Sequence, residues 1–567
     1  MHRTEVDGVP AFWSDSGLPG VTASLRFRSG IADEALPRLG WTRLAAEAVV
    51  RSAELPGLDI TGSLTALWTS FDITGPAEAV VAGLSRISDV LRDPGDGASQ
   101  IAERIVAEAT QRPSADAFGL ALRWIFGAGG FGLVGFPEFG LATVTPADLR
   151  ALAASRFGAS DAVLCIEGTP PAGLRLGLPP GQGRSQIPAA VPVTPAGAFV
   201  GDQAEVLGAA VLPDSIPTRQ MMRLLAAGVE RAVPTDSWTA YDTRPLLEPL
   251  GADVLVGVSV TAPGPFAVPA AHALLSALDE LCDGPVLPGD HGAQEELRPA
   301  GRAWAAAERH VLGAGRPLRP PPPDVRAAAR AFRDGLYLGM PGDADLRAVP
   351  VPFAAEPAEP AVVGDRLLRA FGCGDQYDTR ILAGDAGITV ADRTTRQTFA
   401  WADVAGCLVG DGDVRVLVRR DGRTADVDGT QWRRGRNLVG RIDRHVGPDL
   451  QIPWPVRRAV APRGFFERLA REARWPRSVP SHVAIHAGLV LGTLVGSFAL
   501  IGGNIALTGG TGPLNALFAV ALGALLCVVL IHSVLAAWGL LDYLLRRYRG
   551  RTGRRRTTAV VRERRAR

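Results

Sequence analysis

Apolar and polar side chains alternate over residues 20–28, which predicts a half-buried β-strand near the start of the chain. A turn follows at residues 30–34, and apolar positions then recur at helical spacing from Gly40 onward. The same reasoning predicts strands near residues 9–13 and 66–74 and helices over residues 76–92 and 101–112. Residues 1–190 are therefore expected to form an α+β domain.

A similar order of elements recurs after a Pro-rich linker at residues 179–197. Within residues 198–350 the pattern predicts a strand, a helix, a strand-like turn, a strand and a helix, at 204–211, 217–232, around Tyr241, 252–261 and 268–282. This repetition predicts that the second region is a second copy of the first domain.

The third region has a different pattern of apolar and polar residues. Short alternating strands separated by Asp-Gly turns fill residues 364–453 and end in a helix at 433–446, after an acidic, low-complexity linker at 353–363. Several short strands with one terminal helix resemble a bacterial pleckstrin-homology-like module. The resemblance implies an adaptor that binds lipids or peptides, without identifying a ligand.

The Gly-rich stretch at residues 127–150 contains glycines at spacings that suggest phosphate binding. A dinucleotide-binding loop, however, follows a strand and opens a helix, whereas this stretch follows the helical run 117–126. It leads to a helix with Thr145 as N-cap and Pro146 at the first helical position. The stretch is therefore predicted to be a connection.

Two long apolar segments near the C-terminus, residues 483–507 and 514–541, contain no Asp, Glu or Arg. At about 1.5 Å per residue, each is long enough to cross a hydrocarbon core of about 30 Å. They are predicted to form a transmembrane hairpin. Their polar members, His486, Asn504 and His532, could hydrogen-bond between the helices or form a relay, and the sequence leaves their role open.

Arginines flank both apolar segments. Residues 457–478 combine Arg with large apolar side chains, as in an amphipathic helix at a bilayer surface, and residues 546–567 carry eleven Arg against one Glu. The formal net charge is +2, so everything before the +10 tail sums to about −8. The basic tail suggests an anionic partner such as lipid headgroups or nucleic acid. The positive-inside rule predicts a multi-pass cell-membrane protein with both termini in the cytoplasm.

The amino-acid composition excludes some classes of protein. With 47% apolar residues in 567, the chain can build three or four domain cores. Its five Cys are scattered without a C-x-x-C pair, which argues against a zinc knuckle or a disulfide framework. The N-terminus lacks the apolar run of a secretory signal, so the first domain is expected to remain cytoplasmic.

The helix at residues 40–48 (GWTRLAAEA) resembles that of the pitrilysin/insulinase-type metallopeptidases, which reads G-x-T-H-L-x-E-H, an inverted H-x-x-E-H zinc signature. Here Arg43 and Glu47 occupy the two His positions, and Ala46 occupies the position of the general base. A guanidinium repels a metal ion and Ala takes no proton. No His lies between His2 and His272 to replace the missing ligands.

The resemblance extends over about residues 5–350 and implies two tandem peptidase-like α+β domains that enclose a peptide. It implies that Glu108, on a downstream helix, lies at the position of the third zinc ligand. It also implies that an Arg and a Tyr of the second domain hold the substrate backbone, and Arg231 and Tyr241 are the candidates.

These observations predict a membrane-anchored, catalytically inactive relative of zinc peptidases without a metal or another cofactor. It would bind a peptide or protein on the cytoplasmic face, beside an active H-x-x-E-H subunit, and no nucleic acid is expected as a partner. Two alternatives stay open. One is an active zinc metalloendopeptidase that uses unusual ligands such as Glu47 and Glu108. The other is an assembly factor of a peptide-export or secretion system.

Overall fold

The computed structural model describes residues 1–454, apart from 16, 18–19, 96, 112–116, 183–185, 202–204, 233–241, 263–265, 285–298, 313–319, 342–348, 350–358, 369–378 and 392–395. These residues belong to one compact unit, Met1–Arg458. Their strands form four β-sheets combined with helices, which confirms the predicted mixed α+β class.

In the described part of the first domain there are six strands and five α-helices. The strands are β1 (His2–Val6), β2 (Val9–Ser14), β3 (Val21–Phe27), β4 (Asp59–Leu64), β5 (Thr69–Gly75) and β6 (Ala162–Glu167). The helices are α1 (Trp41–Ser52), α2 (Ala77–Arg92), α3 (Ala98–Gln111), α4 (Ala117–Phe126) and α5 (Pro146–Arg156). The sheet order is β1-β2-β6-β3-β5-β4, and β2 and β6 run parallel.

Helices α1, α2, α3 and α5 cover one face of this sheet with a continuous apolar core. Phe27, Phe71 and Phe157 meet edge to face at the centre, with ring centroids 5.2, 6.2 and 6.4 Å apart. Thr145 caps α5 through a hydrogen bond from Asp148 N, as the sequence predicts. The core therefore fixes α1, the helix with the unusual motif, against the sheet.

The second domain contains β7 (Gly197–Gly201), β8 (Glu205–Pro213), α6 (Ile216–Ala232), β9 (Thr243–Pro249), β10 (Asp253–Thr261), α7 (Ala267–Asp283), α8 (Pro299–Leu312), α9 (Val325–Asp334) and β11 (Tyr337–Pro341). Its sheet order is β7-β11-β8-β10-β9, and β7 and β11 run parallel. The five-strand order β2-β6-β3-β5-β4 of the first domain is thereby repeated. In this repeat α6 follows β8 as α1 follows β3.

The two domains pack together through α4 and α8. Ala121, Leu122 and Ile125 of α4 join Leu207 and Leu255 of the second sheet in one apolar cluster. On the outer face of the first sheet, Phe12, Val163 and Cys165 pack with Ala303, Ala307 and Val311 of α8. Because the first sheet is covered on both faces, five of the six residues of β6 are buried.

The third region, here called the β-rich module, has two four-stranded sheets and one helix. The strands are β12 (Asp365–Arg366), β13 (Arg380–Ala383), β14 (Gly387–Ala391), β15 (Arg396–Ala400), β16 (Val404–Val409), β17 (Val414–Arg419), β18 (Thr424–Asp428) and β19 (Gln451–Pro453), and the helix is α10 (Gly435–His445). The orders are β12-β13-β14-β15 and β18-β17-β16-β19. Both sheets and α10 share one core. The predicted strands and terminal helix are thus present.

The module begins earlier than the predicted residue 364. The Glu359 carboxylate accepts hydrogen bonds from Thr398 N at 2.6 Å and from the Arg419 guanidinium at 2.8 Å, and Val362 N donates to Thr389 Oγ1 at 2.9 Å. The end of the acidic linker is therefore part of the module, because its carboxylate neutralises a half-buried Arg.

Among the residues that the structure describes, no helix is long and apolar enough to cross a membrane. The predicted amphipathic helix at 457–478, both predicted transmembrane segments and the basic tail lie outside the described residues. So do His486, Asn504 and His532.

Candidate functional site

The N-terminal end of α1 is held by Glu34. Its carboxylate accepts hydrogen bonds from Gly40 N at 2.8 Å and Thr42 N at 2.6 Å, so two amides at the start of the helix are satisfied. Burial raises the pKa of Glu34 to about 7, although both amides favour the charged form. Glu34 lies too far before the helix to be recognised from capping patterns in the sequence.

Gly40 allows the Gly-rich stretch to approach α1 closely. Its φ is +100°, and a Cβ there would lie 2.5 Å from the Cβ of Glu138. Trp41 Nε1 donates to Gly140 O at 2.9 Å, and Gly140 N donates to Leu39 O at 2.9 Å. The first Gly of the motif is therefore needed for contact with a segment about 100 residues away.

Arg43 binds the carboxylates of three glutamates from three segments. Its Nε lies 3.0 Å from Glu47 Oε1, its Nη2 lies 3.5 Å from Glu108 Oε2, and its Nη1 pairs with Glu138 Oε1. Burial disfavours the guanidinium charge, but the ion pairs, chiefly that with Glu138, raise the pKa of Arg43 above its usual value. The sequence-predicted positions Arg43, Glu47 and Glu108 are thus brought together.

A second guanidinium completes the set. Arg104 of α3 pairs with Glu108 Oε1 at 2.6 Å and with Glu47 Oε2. We call Arg43, Glu47, Arg104, Glu108 and Glu138 the charged cluster. Two Arg and three Glu give it a formal charge of −1, and each side chain keeps between 23% and 49% of its surface exposed. The cluster therefore faces solvent and is accessible to a ligand.

The charged cluster forms part of the wall of an open cleft of about 710 Å³, which we call the charged cleft. Ala46 lines the cleft on the same side of α1 as Arg43 and contributes only a methyl group. The remaining lining comes from Ile31, Val50, Arg51, Glu54, Gly62, Ser63, Leu64 and Ile101. The cleft is therefore a surface with both charged and apolar contacts.

Strand β4 borders the cleft as the edge of the first sheet. Among the described residues it pairs with β5 alone. Thr65 N donates to Trp68 O at 2.9 Å where the two strands turn. Because bonded and non-bonded pairs alternate in an antiparallel ladder, Ser63 bonds toward β5. The N–H groups of Gly62 and Leu64 consequently point outward, along the cleft.

The side chains at the motif do not fit a zinc ion. The available donors Glu47 and Glu108 are already paired with guanidinium groups, and the Arg43 cation lies among them. A zinc ion here would have to displace Arg43 and would find no imidazole ligand. Among the described residues, no group of three or more His, Cys, Asp or Glu is arranged to hold a metal ion.

Of the two second-domain candidates, the structure describes only Arg231. Arg231 is exposed near the C-terminal end of α6 and does not line the charged cleft. Tyr241 lies outside the described residues. The assignment of Arg231 and Tyr241 to substrate binding therefore stays a prediction.

Sequence reasoning missed Arg104 and Glu138. Arg104 could have been found, because it lies one helical turn before Glu108 and such pairs attract on a helix surface. Glu138 gives no signal of this kind, since it lies in an irregular Gly-rich connection, 95 residues beyond Arg43.

Solved structures with related chain paths exist at low identity. A chain of complex III2 from Candida albicans is 11% identical with a TM-score of 0.47, over 60% of this chain and 95% of that one. An inactive domain of peptidase M16 from Pseudomonas fluorescens is 12% identical with a TM-score of 0.46, over 60% and 97%. Pitrilysin is 13% identical with a TM-score of 0.41, over 64% and 46%.

No protein-family model matches the chain. The comparison with curated proteins also finds no match. Because the structural matches have TM-scores below 0.5, the relation to pitrilysin-type peptidases stays a resemblance. The candidate site is therefore described from the contacts within this chain. It is an open cleft that contains Arg43 and Arg104 and borders the edge strand β4.

Proposed function

We propose that this protein is a catalytically inactive, membrane-anchored binding protein that holds an extended peptide or protein segment in the charged cleft on the cytoplasmic face. One observation carries the proposal: Arg43 pairs with Glu47, Glu108 and Glu138 at the place where the resembled family has its metal. A guanidinium in place of the metal supplies no Lewis acid, and Ala46 at the position of the general base takes no proton.

The alternative of an active metallopeptidase is not favoured. Its ligands would be Glu47 and Glu108, and both carboxylates are neutralised by Arg43 and Arg104. No contact in the described residues bears on the third reading, an assembly factor for export or secretion. A separate, active subunit with an intact H-x-x-E-H motif is one class of partner that fits the proposal.

The edge strand supports the binding role. An extended peptide can add to an open strand edge through main-chain hydrogen bonds, and the outward N–H groups of Gly62 and Leu64 are suitable donors. The apolar side chains of Val50, Leu64 and Ile101 would contact the side chains of such a peptide. The charged cluster would then contact polar groups on the same face.

The membrane location and the adaptor role belong to the same proposal. They rest on the apolar segments 483–507 and 514–541 and on the likeness of the β-rich module to a pleckstrin-homology-like fold. In this arrangement the hairpin anchors the chain, and the module and cleft lie in the cytoplasm. Reporter fusions at both termini, scored for cytoplasmic or external activity, test the topology.

Fluorescein-labelled β-casein, an unfolded protein, is a suitable probe for binding and cleavage by the full-length protein. We expect a rise in fluorescence anisotropy without fragments on a gel, with or without a zinc chelator. Leu64→Pro removes one outward N–H and should weaken binding roughly fivefold to tenfold, the effect of one hydrogen bond. Leu64→Ala, which keeps the N–H, is the matched control. Chelator-sensitive fragments, or equal binding by both variants, would overturn the proposal.

A further inference from the structure

The β-rich module lies against the Gly-rich stretch that carries Glu138. Leu133, Phe136 and Phe139 of this stretch pack with module residues in one buried apolar cluster; the module members are Leu408, Val416, Val418 and Ile452. Trp454, at the end of β19, meets the ring of Phe139 edge to face at 5.0 Å. The stretch is therefore held by apolar and aromatic contacts, and Glu138 lies between Phe136 and Phe139.

The β17–β18 turn adds directional contacts beside this cluster. Arg123 of α4 donates to Gly422 O at 2.7 Å and to Thr424 Oγ1 at 3.2 Å, and Ala128 N donates to Arg420 O at 2.9 Å. The Arg123 guanidinium also lies 4.5 Å from the centre of the Phe136 ring. Apolar packing and hydrogen bonds thus fix the module in one position on the first domain.

The opposite side of the Gly-rich stretch holds α1. Glu138 pairs with Arg43, and Gly140 exchanges hydrogen bonds with Trp41 and Leu39. Leu39 and Leu36, which lead into α1, belong to the same apolar cluster as the module residues. Besides Glu34, two supports of the N-terminal end of α1, the Gly-rich stretch and the segment with Leu36 and Leu39, therefore rest on the β-rich module.

We propose that the β-rich module positions the charged cleft: by clamping the Gly-rich stretch it holds Glu138, and through Glu138 it holds Arg43 among the carboxylates. Glu138 is a positioning residue, and the module supports the site from outside its lining. A ligand that binds more tightly when the module is docked also favours the arrangement in which Arg43 lies among the carboxylates. A ligand of the module and a ligand of the charged cleft therefore change each other's affinity by the same factor.

A glycine pair provides a matched test. Gly127 has φ +75°, and a Cβ there would overlap Arg420 O of the β17–β18 turn. The added methyl group of Gly127→Ala should therefore push the β-rich module away from the first domain. Gly173 has φ +76° with open space around the added Cβ, so Gly173→Ala carries the backbone strain alone. The difference between the two variants isolates the effect of the module contact.

Hydrogen–deuterium exchange on the full-length protein, without any peptide, reads out the coupling. Gly127→Ala should speed exchange roughly tenfold in the β17–β18 region, in residues 130–141 and in the first turns of α1, while Gly173→Ala changes none of them. Faster exchange in β17 and β18 with wild-type exchange in α1 would overturn the proposal. Because no ligand is used, the result is independent of whether the cleft binds peptides.

If Gly127→Ala unfolds the whole unit, hydrogen exchange should also become faster in β10 of the second domain. In that case Arg123→Ala decides the question, because it removes two hydrogen bonds to the turn without adding a side chain. Glu138→Gln gives the converse readout. It should loosen α1 and, because the coupling is reciprocal, also speed exchange in β17 and β18 by less than Gly127→Ala does, whereas wild-type exchange in α1 would contradict the role of Glu138.

Discussion

Arg43 and Glu47 form an ion pair across one turn of α1, with Nε and Oε1 3.0 Å apart. In the family that this helix resembles, these two positions would carry the imidazoles of a zinc site. In this chain the same two positions carry side chains that neutralise each other. The helix lies against the sheet, and its polar face forms ion pairs.

Removal of Arg43 should destabilise the protein. Arg43→Ala leaves Glu47, Glu108 and Glu138 close together with only Arg104 to balance them, and we expect a loss of about 1–2 kcal/mol in the free energy of unfolding. Urea denaturation followed by circular dichroism measures it. Arg51→Ala, at an exposed position lining the same cleft, is the control and should cost less than about 0.5 kcal/mol. Equal losses would argue against a special role for Arg43.

Restoring the motif should create a zinc site. The triple variant Arg43→His, Ala46→Glu and Glu47→His places two imidazoles one helical turn apart, with Glu108 as a third ligand. We expect about one zinc per chain after dialysis, measured by elemental analysis, whereas the natural chain retains none. The single variant Ala46→Glu is the control, since it adds a carboxylate without an imidazole. A metal-free triple variant would mean that the helices are not spaced for zinc.

Substitution of Gly40 should be costly because of Glu138. A methyl group at Gly40 meets the Glu138 side chain at 2.5 Å and sits on a backbone with φ +100°, so Gly40→Ala should destabilise by about 2–4 kcal/mol. Gly57→Ala has a comparable φ of +80° but open space, and should cost about 1 kcal/mol. Thermal denaturation compares the two. A similar loss in both variants would assign the whole effect to backbone strain.

Stability should fall as the pH rises from about 4.5 to about 7. Burial raises the pKa of Glu34 and of Glu248 from 4.5 to about 7, so in this range the folded state holds protons that the unfolded state has released. Each group should contribute a decline on the order of 2 kcal/mol that levels off above pH 7. Urea denaturation at pH 5, 6, 7 and 8 follows it.

Glu34→Gln and Glu248→Gln should each flatten part of this decline, because an amide does not titrate. Glu54→Gln, at an exposed position just beyond α1, is the matched control. If neither buried substitution alters the slope, the decline has another origin.

The periodic parts of the fold were predictable from the sequence. Strand β3 and helix α1 were recognised because each buries one face and so carries its period in the sequence. Strand β4 was missed because it is an edge strand with mostly exposed side chains, which leaves no alternation to read. Helices α8 and α9 were not predicted, although the buried residues of α9, Ala328, Ala329 and Phe332, alternate with Arg at helical spacing.

The candidate site was predictable only where it is local. Arg43, Ala46 and Glu47 share one helix, and Glu108 followed from the family resemblance. Glu138 depends on the path of a Gly-rich connection, and that path is set by packing against the β-rich module, which no local pattern encodes. Long-range contacts between irregular segments are the part of a site that sequence periodicity leaves undetermined.

The charged cluster also constrains how this chain can change by mutation. Replacing either Arg alone takes the formal charge of the cluster from −1 to −2, whereas losing one Arg together with one Glu restores −1. Substitution effects at these five positions should therefore be non-additive, and Glu47→Gln should partly compensate for Arg43→Ala. A series of single substitutions that leads to a metal-binding helix would pass through less stable intermediate sequences. The order in which substitutions occur, and not only their identity, would decide which sequences remain folded.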